Sequence, residues 1–174
     1  MTKLITSLFL FFPIVAFCQT REKALTNAEQ FSLQSGTLIE RQFIKIGRLK
    51  SMEVTVLKLK DLNSNLTKSA LRFELTISGY TSDTKIVSLD MDEIDDLMKA
   101  IANLQSSVFP TKRDVYTEVA FKSKTGFEAG AYYDTGKEKW ISYLQLDSRD
   151  SMLFLSTDDF ETLLNLVSQA KQKM

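Results

Sequence analysis

Five carboxylates stand within seven positions of the stretch KIVSLDMDEIDDLMKAI, which runs from Lys85 to Ile101. They are the densest group of potential metal ligands in the chain: Asp90, Asp92, Glu93, Asp95 and Asp96. A calcium loop of the EF-hand type needs oxygen ligands at alternate positions and a glycine at the sixth. Ile94 falls on the third ligand position and Asp95 on the glycine position. The spacing therefore predicts no metal site here.

The same stretch has the pattern of a helix N-terminus. Asp90 occupies the N-cap position, and Glu93 three positions later completes an Asp variant of the capping box. The other carboxylates stand in the early turns, where the helix dipole favours negative charge. The pattern recurs 66 residues later with Ser156 and Asp159 in the corresponding positions. A catalytic cluster has no reason to recur in this form, so the acidic run is interpreted as a helix start.

The residue types that the chain lacks exclude several chemistries. The sequence contains no histidine, and Cys18 is its single cysteine. Zinc sites of the Cys/His type, Ser/His/Asp and Cys/His nucleophilic sites and histidine pH switches are therefore excluded. The composition predicts no catalytic residue, no metal site and no cofactor. A carboxylate-dependent hydrolase remains the alternative, with Asp134 and Glu128, or acids of the 90–96 run, as the acid and base.

The first 18 residues predict an export signal. One lysine, Lys3, precedes an apolar run from about Leu8 to Phe17, which is too short to span a bilayer as a stable helix. Small residues at the inspected positions favour cleavage after Cys18, which leaves 21 basic and 22 acidic residues and a formal charge of −1. We therefore expect a secreted or periplasmic protein. The alternative is a lipid anchor on Cys18, although Phe17 stands where lipoprotein signals have a small residue.

A group of aromatic residues near the GFEAGAYYDTG hairpin is the candidate ligand site. Its members are Phe127, Tyr132, Tyr133, Trp140 and Tyr143. One interpretation is a stacking platform for a ligand on the surface of a sheet. The other interpretation is that Phe127, Tyr133 and Trp140 fill the core beneath a helix, with Gly130 making room for a neighbouring ring.

Alternating apolar and polar residues predict eight strands. The candidates are residues 37–46, 52–61, 70–78, 85–89, 116–124, 127–134, 139–147 and 152–156. In the second candidate, Val54 and Val56 lie on one face while Leu57 and Leu59 lie on the other. This change of phase predicts a bulge or a strand that is covered on both faces.

The predicted fold class is α+β, with two similar units of four antiparallel strands and one helix, each sheet covered by a helix. The predicted segments are a signal peptide at 1–18, a lead-in at 19–36, a first unit at 37–106, a connector at 107–114 and a second unit at 115–174. This order of elements resembles that of the Whirly and Pur families of single-stranded nucleic-acid binders. The resemblance implies nucleic-acid binding as one alternative function, and it assigns no residues.

The leading functional hypothesis is a non-catalytic binding or interaction protein of the cell envelope or the exterior. Its expected partner is a protein or a small ligand of the envelope, of unknown identity. The nearly neutral charge balance gives no general attraction to nucleic acid or to an anionic membrane. Membrane attachment is expected only if Cys18 carries a lipid.

Overall fold

A computed structural model describes residues 24–77, 83–147 and 149–174. The predicted signal segment, with Cys18, and the first five lead-in residues lie outside the described residues. The elements in chain order are α1 (Asn27–Ser32), β1 (Ile39–Leu49), β2 (Met52–Asp61), β3 (Thr67–Ile77), β4 (Asp83–Leu89), α2 (Met91–Asn103), a π-helical turn (Leu104–Val108), β5 (Thr117–Lys122), β6 (Glu128–Asp134), β7 (Lys139–Gln145), a 3-10 turn (Arg149–Ser151), β8 (Met152–Leu155) and α3 (Thr157–Gln172).

The strands form two antiparallel sheets of four, and each sheet is followed by a helix. The strand orders are β1-β2-β3-β4 and β5-β6-β7-β8, so every strand pairs with its neighbour in sequence. The predicted α+β class and the repeated order of strands and helix are confirmed. Short connections between antiparallel neighbours account for this order, because no strand has to cross over another.

The two units share one hydrophobic core. Helix α2 packs against α3, against β3 of the first sheet and against β5 of the second. Helix α3 follows the second sheet, but it packs mainly on the first, against β1, β2 and β3, and it also contacts β8. Phe73 and Phe127, one from each unit, stack with their ring centroids 4.8 Å apart, and both rings are fully buried. Each unit therefore completes the other's core.

Strand β2 is covered on both faces. Val54 and Val56 face the shared core, whereas Leu57 and Leu59 on the opposite face pack with Phe31 of α1 in a second, smaller cluster. Because each face of β2 packs in a different cluster, apolar residues occur on both faces of this strand.

A bulge also occurs, but in the neighbouring strand β1. The pairing register between β1 and β2 shifts between Lys45 and Gly47. Helix α3 approaches closely at this point, since a Cβ atom added to Gly47 would lie 2.6 Å from Leu166 Cδ2. The absence of a side chain at Gly47 therefore allows α3 to pack closely against the bulge.

Reciprocal hydrogen bonds define the starts of α1 and α3. The Thr26 hydroxyl accepts from the backbone N–H of Glu29 at 3.0 Å, and the Glu29 carboxylate accepts from the N–H of Thr26 at 2.8 Å. Ser156 and Asp159 make the same exchange at the start of α3, as predicted. Capping of this kind satisfies backbone donors that a helix start otherwise leaves unpaired. None of the helices described is long and apolar enough to cross a membrane.

Candidate functional site

The acidic run forms a structural joint between the two units. Glu93 accepts a hydrogen bond from the N–H of its own N-cap residue, Asp90, at 3.1 Å and another from the N–H of Lys124 at 2.8 Å. The buried Asp90 carboxylate accepts from the N–H of Asn27, at 2.9 Å, and from the Lys124 ammonium, at 2.7 Å. The hydrogen bond to Asp90 raises the pKa of Lys124 above its ordinary value. These carboxylates thus bind the lead-in helix and the second unit to the start of α2.

The remaining carboxylates of the run have separate surroundings. Asp95 pairs with Lys171 of α3, and Asp96 pairs with Lys99 one turn along the same helix at 3.2 Å. The side chain of Asp92 is 74% exposed. Within the described parts of the chain, no three acidic, histidine or cysteine side chains are placed to hold a metal ion.

The structure does not bring Asp134 and Glu128 together as an acid and base pair. They stand at opposite ends of β6, six positions apart, which separates their Cα atoms by about 20 Å. A glycosidase-type pair needs carboxyl groups about 5–9.5 Å apart. Asp134 instead accepts from the N–H groups of Gly136 and Lys137, at 3.0 and 3.1 Å, and holds the β6–β7 turn. The Lys137 ammonium and these donors lower the pKa of Asp134.

Three of the five predicted aromatic residues lie on the inner face of the second sheet. Phe127 belongs to the shared core. Tyr133 and Trp140 meet edge to face with centroids 5.3 Å apart, and the Trp140 indole donates to the Thr111 carbonyl at 2.8 Å. These two rings therefore pack beside the connector. Gly130 makes room for strand β5 rather than for a ring, because an added Cβ would lie 2.6 Å from Ala120 Cβ.

Tyr132 and Tyr143 lie on the opposite, outer face and have a third tyrosine beside them. Tyr132 is 6.0 Å from Tyr116 and 6.5 Å from Tyr143, measured between ring centroids. A surface cavity of about 420 Å³ opens among these rings. We call its lining the tyrosine face: Tyr116, Glu118, Glu128, Tyr132, Tyr143, Gln145 and Met152.

The tyrosine face is acidic. Among the described residues, its lining contains the carboxylates of Glu118 and Glu128 and no lysine or arginine. Glu118 accepts a short hydrogen bond from the Tyr116 hydroxyl, and this bond raises the pKa of Tyr116 to about 12. Glu128 pairs with Lys122, which lies outside the lining. Aromatic faces and carboxylates both attract cations.

The Tyr143 hydroxyl is a polar group of the tyrosine face that forms no hydrogen bond with the described part of the chain. The residue is 7% exposed, and no group in the described chain forms a hydrogen bond with its hydroxyl. Burial, followed by the nearby Glu128 and Glu118 carboxylates, raises its pKa. A tyrosine hydroxyl that lines a cavity and has no partner in the described chain can form a hydrogen bond with a ligand.

Sequence reasoning missed Tyr116 and Glu118 as members of this site. Strand pairing supplies the missing information, because Glu118 lies opposite Tyr132 and Gly130 lies opposite Tyr143. Alternation along β5 does place these residues on one face, but it does not identify the strand beside them.

A second cavity, of about 600 Å³, lies between the first sheet and the start of α2. Lys58, Lys60 and Lys68 line it from the sheet side, together with the hydroxyls of Thr67 and Ser69. The acidic side chains of its lining are Glu40, Asp90 and Asp92. This cavity therefore has walls of mixed charge, unlike the tyrosine face.

Comparisons with protein-family models, curated proteins and solved structures found no match to this chain.

Proposed function

We propose that this chain is a non-catalytic binding protein of the cell envelope or the exterior, and that its tyrosine face receives a positively charged group of its ligand. The observation that carries the proposal is a cavity lined by three tyrosines and two carboxylates, in which the Tyr143 hydroxyl has no partner in the described chain. The ligand group is an ammonium or a guanidinium, on a small amine or on a basic side chain of a partner protein.

The chemistry of the lining favours a cation over a neutral or anionic group. A cation over a tyrosine ring interacts favourably with the ring quadrupole, by about 0.5–2 kcal/mol depending on its desolvation. Glu118 adds charge attraction, whereas the Glu128 charge is shared with Lys122 outside the lining. The Tyr143 hydroxyl can accept a hydrogen bond from an N–H donor of the ligand.

The expected export of the chain supports the proposed location. The N-terminal segment has the charge and apolar run of a secretory signal. Among the described residues, the buried part of the shared core lies between Leu49 and Ala170, well beyond the first 18 residues. We propose free export after cleavage at Cys18, with lipid attachment at Cys18 as the alternative.

The test is a titration of the chain lacking residues 1–18 with choline and with agmatine, followed by the NMR signals of the tyrosine rings. An uncharged dimethylbutanol analogue of choline serves as the neutral probe. We expect saturable shifts of Tyr116, Tyr132 and Tyr143 with a charged probe and much weaker shifts with the neutral one. Glu118→Gln is expected to lower the affinity about tenfold, because it removes a charge from the site.

Glu138→Gln is the matched control, because Glu138 is an exposed carboxylate paired with Lys112 outside the tyrosine face. This variant should bind as the unaltered chain does. The proposal fails if neither charged probe shifts the three tyrosines, or if both glutamate variants weaken binding equally.

A further inference from the structure

Exposed leucines cluster at one end of the first sheet. Leu38, Leu62 and Leu66 are 61%, 44% and 62% exposed. Backbone hydrogen bonds bring them together, since the N–H of Leu62 donates to the Leu38 carbonyl and the N–H of Asp61 donates to the Leu66 carbonyl, both at 2.9 Å. The three leucines therefore form an apolar end of the sheet, at the β2–β3 turn and the start of β1.

Cations without a partner surround this end. They are Arg41, Lys58, Lys60 and Lys68, and none has a carboxylate within ion-pair distance in the described ranges. Lysines elsewhere, such as Lys50, Lys112 and Lys122, have one. We call the three leucines and these four cations the leucine end.

The acids of the same strand ends are already engaged. Asp61 accepts from the Ser64 hydroxyl at 2.6 Å and from the N–H of Asn63 at 2.8 Å, which fixes the turn. Glu40 accepts from the Gln42 amide at 2.7 Å. At the strand ends themselves four cations stand against two carboxylates, which gives a positive balance although the whole chain is neutral. The Asp90 and Asp92 carboxylates lie on the wall of the second cavity, where Lys124 pairs with Asp90 at 2.7 Å.

We infer that the leucine end contacts a lipid surface that carries anionic phosphate head groups. Apolar side chains that enter the boundary between head groups and acyl chains, with lysines beside them, are the usual elements of peripheral membrane binding. The second cavity lies next to Lys60 and Thr67 at these strand ends and gives room for a phosphate near Lys58 and Lys60.

The charge of this end distinguishes a lipid surface from a second copy of the chain. Two leucine ends facing each other would bring eight cations together, which is unfavourable. A phosphate surface instead offers the complementary charge.

The test is co-sedimentation of the chain lacking residues 1–18 with vesicles of phosphatidylglycerol or of phosphatidylcholine. We expect binding to phosphatidylglycerol that weakens as salt is added, and little binding to phosphatidylcholine. Leu62→Ser combined with Leu66→Ser, and Lys60→Gln combined with Lys68→Gln, should each reduce binding about tenfold or more.

Matched controls lie on the second unit. Phe154→Ser removes a side chain that is 52% exposed, and Lys112→Gln combined with Lys137→Gln removes two exposed cations. Both controls should keep vesicle binding, and thermal melts should show all variants folded. Glu118→Gln should also leave vesicle binding unchanged, and this result separates the inference from the proposed function.

Three results would overturn the inference. The first is an absence of binding to phosphatidylglycerol. The second is equal loss of binding in the control variants and in those of the leucine end. The third is self-association without vesicles that the leucine variants abolish, because the surface would then belong to a second copy of the chain.

Discussion

At the scale of single residues, Lys124 is the side chain on which the joint between the units depends. Its ammonium neutralises the buried Asp90 carboxylate, and its backbone N–H binds Glu93. We expect Lys124→Met to lower the free energy of unfolding by about 1–3 kcal/mol, because it leaves the Asp90 charge without its cation. Urea denaturation at neutral pH measures this loss.

The raised pKa of Lys124 gives that loss a pH dependence. A folded-state pKa above the unfolded value stabilises the protein below the unfolded value, near 10.5, and the contribution disappears as the pH rises through the folded value. The difference between the unaltered chain and Lys124→Met should therefore shrink above pH 10.5. A difference that stays constant through strongly alkaline pH would contradict this account of the joint.

Tyr116 offers a second residue-scale prediction. Its hydrogen bond to Glu118 raises its pKa to about 12, from an ordinary value of 10.0. In Glu118→Gln the phenol loses this charged partner, so its pKa should fall back towards the ordinary value. A spectrophotometric titration of phenolate absorbance, with Tyr116→Phe to identify the signal, measures the change. An unchanged Tyr116 titration in Glu118→Gln would show that the two groups do not interact.

At the scale of elements, the close contact between α3 and the β1 bulge limits what position 47 can hold. We expect Gly47→Ala to lower stability by about 1–3 kcal/mol, because its methyl group would overlap Leu166 of α3. Gly136→Ala is the control, since the nearest atom to an added Cβ there is an Asp134 side-chain oxygen at 3.4 Å. Equal thermal stability of the two variants would contradict the described packing of α3.

The sequence predicted individual elements better than their partners. Alternation predicted that Leu71, Phe73 and Leu75 are buried, and all three are. The repeated cap patterns predicted the starts of α2 and α3. Local patterns carry this information because each element must hide one face and satisfy its own ends.

The arrangement of the elements depends on contacts between residues distant in sequence. Local sequence patterns therefore did not predict it. That α3 covers the first sheet follows from matching surfaces, not from a local signal. The division of the five aromatic residues between two faces follows the strand alternation, but the meeting of Tyr116 with Tyr132 depends on register. The candidate site was therefore only half predictable, with Tyr132 and Tyr143 identified and Tyr116 and Glu118 missed.

At the scale of the whole molecule, the shared core predicts cooperative unfolding. Trp140 is the only tryptophan, so its fluorescence reports the second unit, whereas far-ultraviolet circular dichroism reports both units. We expect the two signals to follow one coincident transition in urea, because neither unit has a complete core alone. Two separate transitions would show that the units are independent.

The central claim of this account is that the tyrosine face is built for a ligand, and Tyr143→Phe tests it most directly. The variant removes only the Tyr143 hydroxyl, which has no partner in the described chain. Stability should stay within about 0.5 kcal/mol or rise, since no protein hydrogen bond is lost, while affinity for the cationic probe falls about fivefold. Parallel measurement of the urea midpoint and of probe binding gives both values. A loss of stability with unchanged affinity would show that the hydroxyl serves the fold and would contradict the claim.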